Sequence, residues 1–207
     1  MSGSSSGEDS VRVAVMGGTF DPIHHGHLFA AGEVADRLGL PRVLFMPCGL
    51  PPHKTRDDVS DAADRYQMAV LATQSNPRFD VSRLEIERPG PSYTIETLRE
   101  LRRQQGPGLE IFLLAGADAV LEIATWHEAD AVLQECHVIA VHRPGYDLGR
   151  LEATLGPERT RRIQPVAVRA LDISSTDLRQ RIRQGQSLRY LTPDPVVDYI
   201  ARRGLYQ

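Results

Sequence analysis

The sequence predicts an α/β fold, with one doubly wound domain, a mostly parallel sheet and helices at the C-terminal end. Short apolar runs that fit buried strands alternate along the chain with segments of helical periodicity, which is the pattern of successive βαβ units. The runs 43–46 and 111–114 are apolar at every position, as expected for strands covered on both faces of a sheet. With 207 residues, the chain has a length suited to one substantial domain.

The predicted elements follow one another in this alternating order, and the chain ends in two helices. Strands are predicted at 11–16, 42–47, 79–82, 111–115, 137–141 and 163–168. Helices are predicted at 26–38, 62–75, 94–105, 128–134, 148–155, 175–184 and 195–203. Gly185 and Gly204 stand where C-terminal caps belong. No repeat or linker divides residues 11–207, so we expect a single Rossmann-like domain there.

The composition argues against several classes of protein, and the first ten residues differ from the rest of the chain. Residues 1–10 are rich in Ser and Gly, and we interpret them as a disordered leader or a remnant of an expression vector. A net charge of −3 does not favour a nucleic-acid polymer as partner. No apolar run approaches the ~20 residues that cross a bilayer, so no membrane is expected. Cys48 and Cys136 lack the spacing of a zinc site; we expect reduced thiols in a cytoplasmic protein, with a disulfide between them as the alternative.

The first predicted strand runs into a glycine turn and a histidine-rich loop. Gly17 and Gly18 lack Cβ atoms, so a ligand can approach their N–H groups closely, and the backbone there can adopt strained φ/ψ angles. The helix that follows points its positive end at the same place, which favours an anion. His24 and His27 are three residues apart and share a face in a helical first turn. The stretch predicts phosphate binding; a metal site and a purely structural role for the histidines are the alternatives.

A second anion-binding pattern lies near the C-terminus. Ser174, Ser175 and Thr176 fit the N-terminal cap of a helix, and Asp177 is favourable in its first turn. A cap does not explain Arg179, which stands three residues beyond Thr176 and faces the same end. A helix start together with a guanidinium forms a second phosphate clamp.

These two stretches resemble the signatures of the nucleotidyltransferase superfamily. The motif GxFDPxHxGH is matched by Gly18, Phe20, Asp21, Pro22, His24, Gly26 and His27, and residues 173–179 match ISSTxxR. Within the superfamily, the chain from about residue 11 to 206 is similar to bacterial nicotinate-nucleotide adenylyltransferases. The resemblance implies that the turn Gly17, Gly18, Thr19 and Phe20 lies at ATP, and that His24 and His27 contact its phosphates. It also implies that Ser174, Ser175, Thr176 and Arg179 hold the triphosphate.

A loop after the second predicted strand carries Lys54, the only lysine among 24 basic residues. Pro51 and Pro52 make this loop stiff and extended, and an incidental surface connector is the simplest interpretation. The family has PPHK or PPHR here, with the basic residue reaching the mononucleotide. The family often has polar side chains where this chain has Cys48 and Gly49, so hydrogen bonds from such side chains are not expected.

Three further positions match residues that contact the acceptor or the nucleotide in the family. Thr94 lies in an SYT motif at the pyridine ring, although Thr94 or Ser92 would also serve as a helix cap. Trp126 lies in a TW motif whose indole stacks on that ring, although a lone tryptophan commonly belongs to the core. Asp118 lies in Gly-x-Asp of the nucleotide pocket, where a carboxylate suits ribose hydroxyls; its simpler role is a helix cap.

The resemblance implies that ATP and nicotinate mononucleotide are the substrates and that nicotinate adenine dinucleotide and pyrophosphate are the products. Mg²⁺ is expected with ATP, held by phosphates and water and not by a dedicated protein site. A related enzyme acting on nicotinamide mononucleotide or pantetheine phosphate, or a nucleotide-binding sensor without turnover, remains open. A dehydrogenase is disfavoured because no G-x-G-x-x-G follows the first strand. A homo-oligomer is compatible with the sequence.

Overall fold

The computed structural model describes residues 11–50, 59–142, 146–169 and 171–207, and it contains one parallel sheet. The strands are β1 (Arg12–Gly18), β2 (Val43–Pro47), β3 (Phe79–Val81), β4 (Glu110–Gly116), β5 (His137–His142) and β6 (Ile163–Ala167). Their order across the sheet is β3-β2-β1-β4-β5-β6, and all five pairings are parallel. The predicted parallel α/β fold is confirmed.

The helices connect these strands and close the chain. They are α1 (His25–Leu38), α2 (Ala62–Thr73), α3 (Leu84–Glu87), α4 (Thr94–Gln105), α5 (Ala117–Leu121), α6 (Ala129–Glu135), α7 (Gly149–Thr160), α8 (Ser175–Arg183) and α9 (Asp194–Arg203), with a short 3₁₀ turn at Ile123–Thr125. The sequence pattern missed α3, whose four residues are too few to show a helical period. The helix predicted at 148–155 ends where α7 breaks, at Gly156 (φ 74°), and a further helical segment follows to Thr160.

Two apolar layers cover the two faces of the sheet. Ala14 and Met16 of β1 pack into a cluster with residues of α1, α2, α8 and α9. Val13 and Val15 of the same strand pack into the opposite cluster, with residues of α4, α5, α6 and α7. Successive side chains of a strand point to opposite faces, so a continuous apolar run is what a doubly covered strand requires.

The strand order reverses at β1, which lies between β2 and β4. In open parallel sheets, ligands bind beyond the carboxyl ends of the strands at such a reversal. Here those ends are Gly18 of β1 and Gly116 of β4. The first motif and the Gly-x-Asp motif therefore meet at one edge of the sheet.

The structure also bears on the two cysteines and on the expected absence of a membrane span. Cys48 and Cys136 are both free, so the alternative of a disulfide is wrong. Burial raises the pKa of the Cys136 thiol to about 12 and raises that of Cys48, which leaves both thiols protonated at neutral pH. Within the described ranges, no helix is long and apolar enough to cross a bilayer.

Candidate active site

The turn after β1 is open on the side that a ligand would use. A Cβ built on Gly17 would meet no atom within 4 Å, so the backbone there can be approached closely. Gly17 and Gly18 do not use the left-handed backbone that glycine permits, because neither has a positive φ, whereas Phe20 has φ 50°. On Gly18 a Cβ would lie 3.0 Å from the Phe20 ring. A side chain on Gly18 would therefore press on the Phe20 ring, whereas the φ angle of Gly18 sets no such limit.

His24 and His27 stack on each other at the start of α1. His24 is the N-cap residue, and the ring centroids are 3.7 Å apart with an interplanar angle of 26°. The backbone N–H of His24 donates to Nδ1 of His27 over 3.2 Å. A Cβ on Gly26 would lie 2.9 Å from His24 Nδ1, so glycine at this position lets the His24 ring take its place. The predicted shared face of the two imidazoles is confirmed.

Both imidazoles are neutral at physiological pH. Burial, followed by the neighbouring His25, lowers the pKa of His24 to about 4. Burial, followed by His24, lowers the pKa of His27 to about 3. Because Nδ1 of His27 accepts a hydrogen bond, the neutral ring carries its proton on Nε2. His27 can therefore donate one hydrogen bond from Nε2 to an anion without carrying a charge.

The loop 21–23 is tied to the C-terminal part of the chain through three consecutive carbonyl groups. Arg179 Nη1 donates to the carbonyl of Asp21 over 2.7 Å. Ser175 Oγ donates to the carbonyl of Pro22 over 2.8 Å. Thr192 Oγ1 donates to the carbonyl of Ile23 over 2.8 Å. The two phosphate-binding patterns predicted from the sequence are thus in direct contact.

The start of α8 has the predicted cap. Ser174 is the N-cap residue, and its side chain accepts from the backbone N–H of Asp177 over 3.1 Å. Arg179 Nη2 lies 3.4 Å from Thr176 Oγ1, so the guanidinium faces the helix start as expected. Among the residues that the structure describes, no carboxylate forms an ion pair with Arg179. Its charge is therefore available to an anionic ligand.

The SYT and TW motifs meet on the other face of the sheet, beside the second apolar cluster. The rings of Tyr93 and His127 are 4.5 Å apart, which brings their neighbours Thr94 and Trp126 into one region. Trp126 is half-buried and packs against the second apolar cluster. The N-cap of α4 is Tyr93, without a side-chain cap, so the alternative that Thr94 or Ser92 caps this helix is wrong.

Asp118 is exposed in the first turn of α5, directly after β4. The N-cap of α5 is Gly116, and no side chain caps this helix. The simpler interpretation of Asp118 as a cap is therefore wrong. Its carboxylate lies beyond the end of the strand next to β1, where a nucleotide would be accessible to it.

The packing of the loop after β2 bears on the positions where this chain departs from the family's polar side chains, Cys48 and Gly49. The backbone N–H of Cys48 donates to the carbonyl of Gly18 over 3.0 Å, and that of Gly49 donates to Ser92 Oγ over 3.1 Å. A Cβ on Gly49 would lie only 2.4 Å from the carbonyl oxygen of Glu85. A side chain at position 49 is therefore incompatible with this packing. Lys54 lies outside the described residues.

Arg65 is a residue of this site that the sequence reasoning missed. Its guanidinium is fully buried and donates to four backbone carbonyls, those of Ser60, Thr19, Cys48 and Gly49, over 2.7 to 2.9 Å. These bonds join the loop after β1 to the loop after β2. An arginine inside a helical pattern looks like a solvated side chain, so the sequence offered no signal for this role.

Metal ligands were an alternative for the histidines. Among the described residues, no group of three or more His, Cys, Asp or Glu side chains is arranged to hold a metal ion. The carboxylate of Asp21, the nearest acidic side chain in sequence, is bound instead by Tyr206 Oη and by the backbone N–H of Ser60. Asp21 therefore braces the turn.

The chain is similar to known proteins over most of its length. Residues 15–181 match the family model described as cytidylyltransferase-like. The chain is 51% identical over 199 residues to "Probable nicotinate-nucleotide adenylyltransferase" of Moorella thermoacetica, which covers 95% of this chain and 92% of the relative. It is 53% identical over 192 residues to the protein of the same name from Salinispora arenicola, covering 93% of this chain and 100% of the relative.

A solved structure shares the fold. The Plasmodium falciparum nicotinic acid mononucleotide adenylyltransferase complexed with NaAD superposes with a TM-score of 0.76 and 17% sequence identity, covering 94% of this chain and 97% of that chain. At this level of identity, the similarity concerns the arrangement of helices and strands.

Proposed function

The chain belongs to the nicotinate-nucleotide adenylyltransferase family, and we propose that it transfers the adenylyl group of ATP to nicotinate mononucleotide. The products are nicotinate adenine dinucleotide and pyrophosphate, in the biosynthesis of NAD. The observation that carries this proposal is the contact between the two phosphate-binding motifs. Arg179 and Ser175 bind the carbonyls of Asp21 and Pro22, so one triphosphate can be held from both sides.

The reaction needs no nucleophile from the protein. A phosphate oxygen of the mononucleotide attacks the α-phosphorus of ATP and forms a new P–O bond, while the α,β-phosphoanhydride bond breaks and its electron pair leaves with pyrophosphate. Catalysis then consists of positioning and of stabilising the charge that develops on the phosphate oxygens. The start of α8, the start of α1 and the guanidinium of Arg179 are suited to this task.

The two histidines act as neutral hydrogen-bond donors in this proposal. The lowered pKa values of His24 and His27 argue against standing positive charges before the substrate binds. The Nε2–H of His27 is held in a fixed direction by the bond that its Nδ1 accepts from the His24 backbone. A preorganised donor costs no reorganisation when the charge develops.

The acceptor lies towards Thr94 and Trp126 in this proposal, and Lys54 contributes from its loop. Support comes from the Tyr93–His127 contact, which brings Thr94 and Trp126 together although 32 positions separate them (126 − 94). The half-buried indole of Trp126 suits an electron-poor pyridine ring. Asp118, exposed beyond β4, is suited to the ribose hydroxyls of the nucleotide.

Mg²⁺ accompanies ATP in this proposal. Because the described residues contain no cluster of three metal-ligating side chains, the ion would be held by phosphate oxygens and water. We also propose a cytoplasmic location, which is consistent with two unpaired cysteine thiols.

Release of pyrophosphate tests the function directly. The enzyme is incubated with Mg²⁺, ATP and one acceptor at a time: nicotinate mononucleotide, nicotinamide mononucleotide or pantetheine phosphate. We expect turnover to be fastest with nicotinate mononucleotide. Equal rates with both pyridine nucleotides would contradict the acceptor assignment. If no acceptor led to release of pyrophosphate, the alternative of a nucleotide-binding sensor without turnover would be favoured.

A further inference from the structure

The carboxylate of Asp21 is buried in the middle of the phosphate-binding loop. Only 3% of its surface is exposed. Tyr206 Oη donates to Oδ1 over 2.6 Å, and the backbone N–H of Ser60 donates to Oδ2 over 3.3 Å. Each oxygen of the carboxylate therefore has its own neutral donor, and the shorter of the two bonds comes from the penultimate residue of the chain.

Arg179 binds the same residue without pairing with its charge. Its Nη1 donates to the backbone carbonyl of Asp21 over 2.7 Å, whereas the carboxylate of Asp21 forms no ion pair with it. A buried carboxylate and a nearby guanidinium attract each other strongly when no other donor satisfies the carboxylate. The Asp21 carboxylate and the Arg179 guanidinium therefore have separate partners.

We propose that Tyr206 is a positioning residue for the reaction, because its hydroxyl holds the Asp21 carboxylate away from Arg179 and keeps the guanidinium free for the triphosphate. This inference rests on the proposed function. Without the hydroxyl, Oδ1 of Asp21 loses its donor in a buried place. The carboxylate then turns to the guanidinium that already contacts its own backbone, and it competes with ATP for that charge.

The C-terminal segment is built to keep this hydroxyl in place. Helix α9 ends at Gly204 with φ 61°, and the N–H of Leu205 returns to the carbonyl of Ile200 over 3.1 Å. Tyr206 has a left-handed backbone (φ 67°), which costs a non-glycine residue about 1–2 kcal/mol. Burial, followed by the charge of Asp21, raises the pKa of Tyr206, so the hydroxyl remains a donor at neutral pH.

A matched pair of tyrosine variants tests the inference. Tyr206→Phe removes the donor to Asp21. Tyr199→Phe is the control, because Tyr199 Oη makes the same kind of bond to Asp64 Oδ1, over 2.7 Å, and Asp64 pairs with Arg203 and not with Arg179. KM and kcat are measured for both substrates, and the Kd for MgATP is measured by calorimetry without an acceptor. Urea unfolding reports the stability of each variant.

We expect Tyr206→Phe to raise both the KM and the Kd for ATP about tenfold, roughly the cost of one weakened hydrogen bond to the triphosphate. The KM for the acceptor should change by less than about twofold, as for a distant site. Tyr199→Phe should lose similar stability and leave both ATP constants unchanged.

The double variant Asp21→Asn/Tyr206→Phe separates positioning from simple support of the fold. An asparagine cannot neutralise Arg179, so we expect the double variant to bind ATP more tightly than Tyr206→Phe alone. ATP binding of Tyr206→Phe equal to that of Tyr199→Phe, or a double variant as weak as Tyr206→Phe, would overturn the inference. The calorimetry decides this even if the wild-type protein releases no pyrophosphate, a result that would refute the proposed function instead.

Discussion

The hydroxyl of Ser175 donates to the carbonyl of Pro22 over 2.8 Å, although 153 positions separate the two residues in the chain. This bond joins the first turn of α8 to the loop that leads into α1. Arg179 and Thr192 bind the carbonyls on either side of it. Two helix starts, each with a positive end, are thereby held in a fixed relation at the same edge of the sheet.

Gly26→Ala should abolish most of the activity. A Cβ at this position would lie 2.9 Å from His24 Nδ1 and 3.0 Å from Cε1, so the ring must move and its stack on His27 breaks. Because the loss of one preorganised donor costs ~100–1000-fold in turnover, we expect kcat to fall by at least about 100-fold. Steady-state pyrophosphate release measures this.

The control for this variant lies on the same helix. A Cβ on Gly32 would meet only Phe79 Cζ, at 3.8 Å, which is ordinary contact. Gly32→Ala should retain activity and gain up to about 1 kcal/mol of stability from helix propensity. Equal activity of the two alanine variants would refute the requirement for glycine at position 26.

The stability of the protein should fall as the pH falls from 7 to 5. In the folded protein the pKa values of His24 and His27 are about 4 and about 3, whereas in the unfolded chain they are ~6.5. The unfolded chain therefore takes up protons that the folded chain does not. The stabilisation is complete above pH 6.5 and is lost as the pH approaches the folded pKa values.

Urea unfolding at pH 7, 6 and 5 measures this dependence. Each histidine contributes up to about 1 kcal/mol per pH unit, and His27 contributes less than its pKa implies because part of its surface is in solvent. The variant His24→Asn/His27→Asn should show a flatter slope. The control is His137→Asn, an exposed position at the amino end of β5. The same slope in the wild-type protein, the double variant and this control would contradict the prediction.

Two threonine variants should each raise the KM for a different substrate. Thr94→Val should raise the KM for nicotinate mononucleotide about tenfold, the cost of one lost hydrogen bond, and leave the KM for ATP unchanged. Thr176→Val, at the start of α8 beside Arg179, should have the reverse effect. The two substrates are titrated separately at saturating concentrations of the other. A rise of both constants in either variant would argue for a general distortion.

Gly49→Ala should destabilise the protein. Its Cβ would lie 2.4 Å from the Glu85 carbonyl oxygen, so the β2 loop and α3 must separate, at a cost of about 1–3 kcal/mol. Gly108→Ala is the control, because a Cβ there meets no atom within 4 Å. Unfolding free energies from urea titration compare the two variants, and an equal loss in both would show that the contact with Glu85 relaxes without cost.

Much of the site could be predicted because its signals are local. The cap at Ser174 and the spacing of His24 and His27 depend on residues within one helical turn, and both were confirmed in the structure. The role of Arg65 could not be predicted in this way. Its four carbonyl partners lie on segments that only the folded sheet brings together.

The same distinction explains the errors. Glycine permits strain at Gly17 and Gly18, but the positive φ belongs to Phe20, whose ring is held by the core. A cap at Thr94 or Ser92 was the alternative interpretation, but Ser92 Oγ instead accepts from the Gly49 backbone. In both cases a contact from a distant segment outweighed the local preference.

By itself, the sequence determined the parallel α/β fold, the starts of α1 and α8 to within one residue, and the family, because apolar periodicity, caps and motifs are properties of neighbouring residues. Only the tertiary structure decided that the carboxylate of Asp21 is bound by Tyr206 while Arg179 binds its backbone carbonyl, and that glycine is required at position 49 by the Glu85 backbone. Burial and long-range contact set the charge and direction of these groups, and neither can be read from residues that are adjacent in the chain.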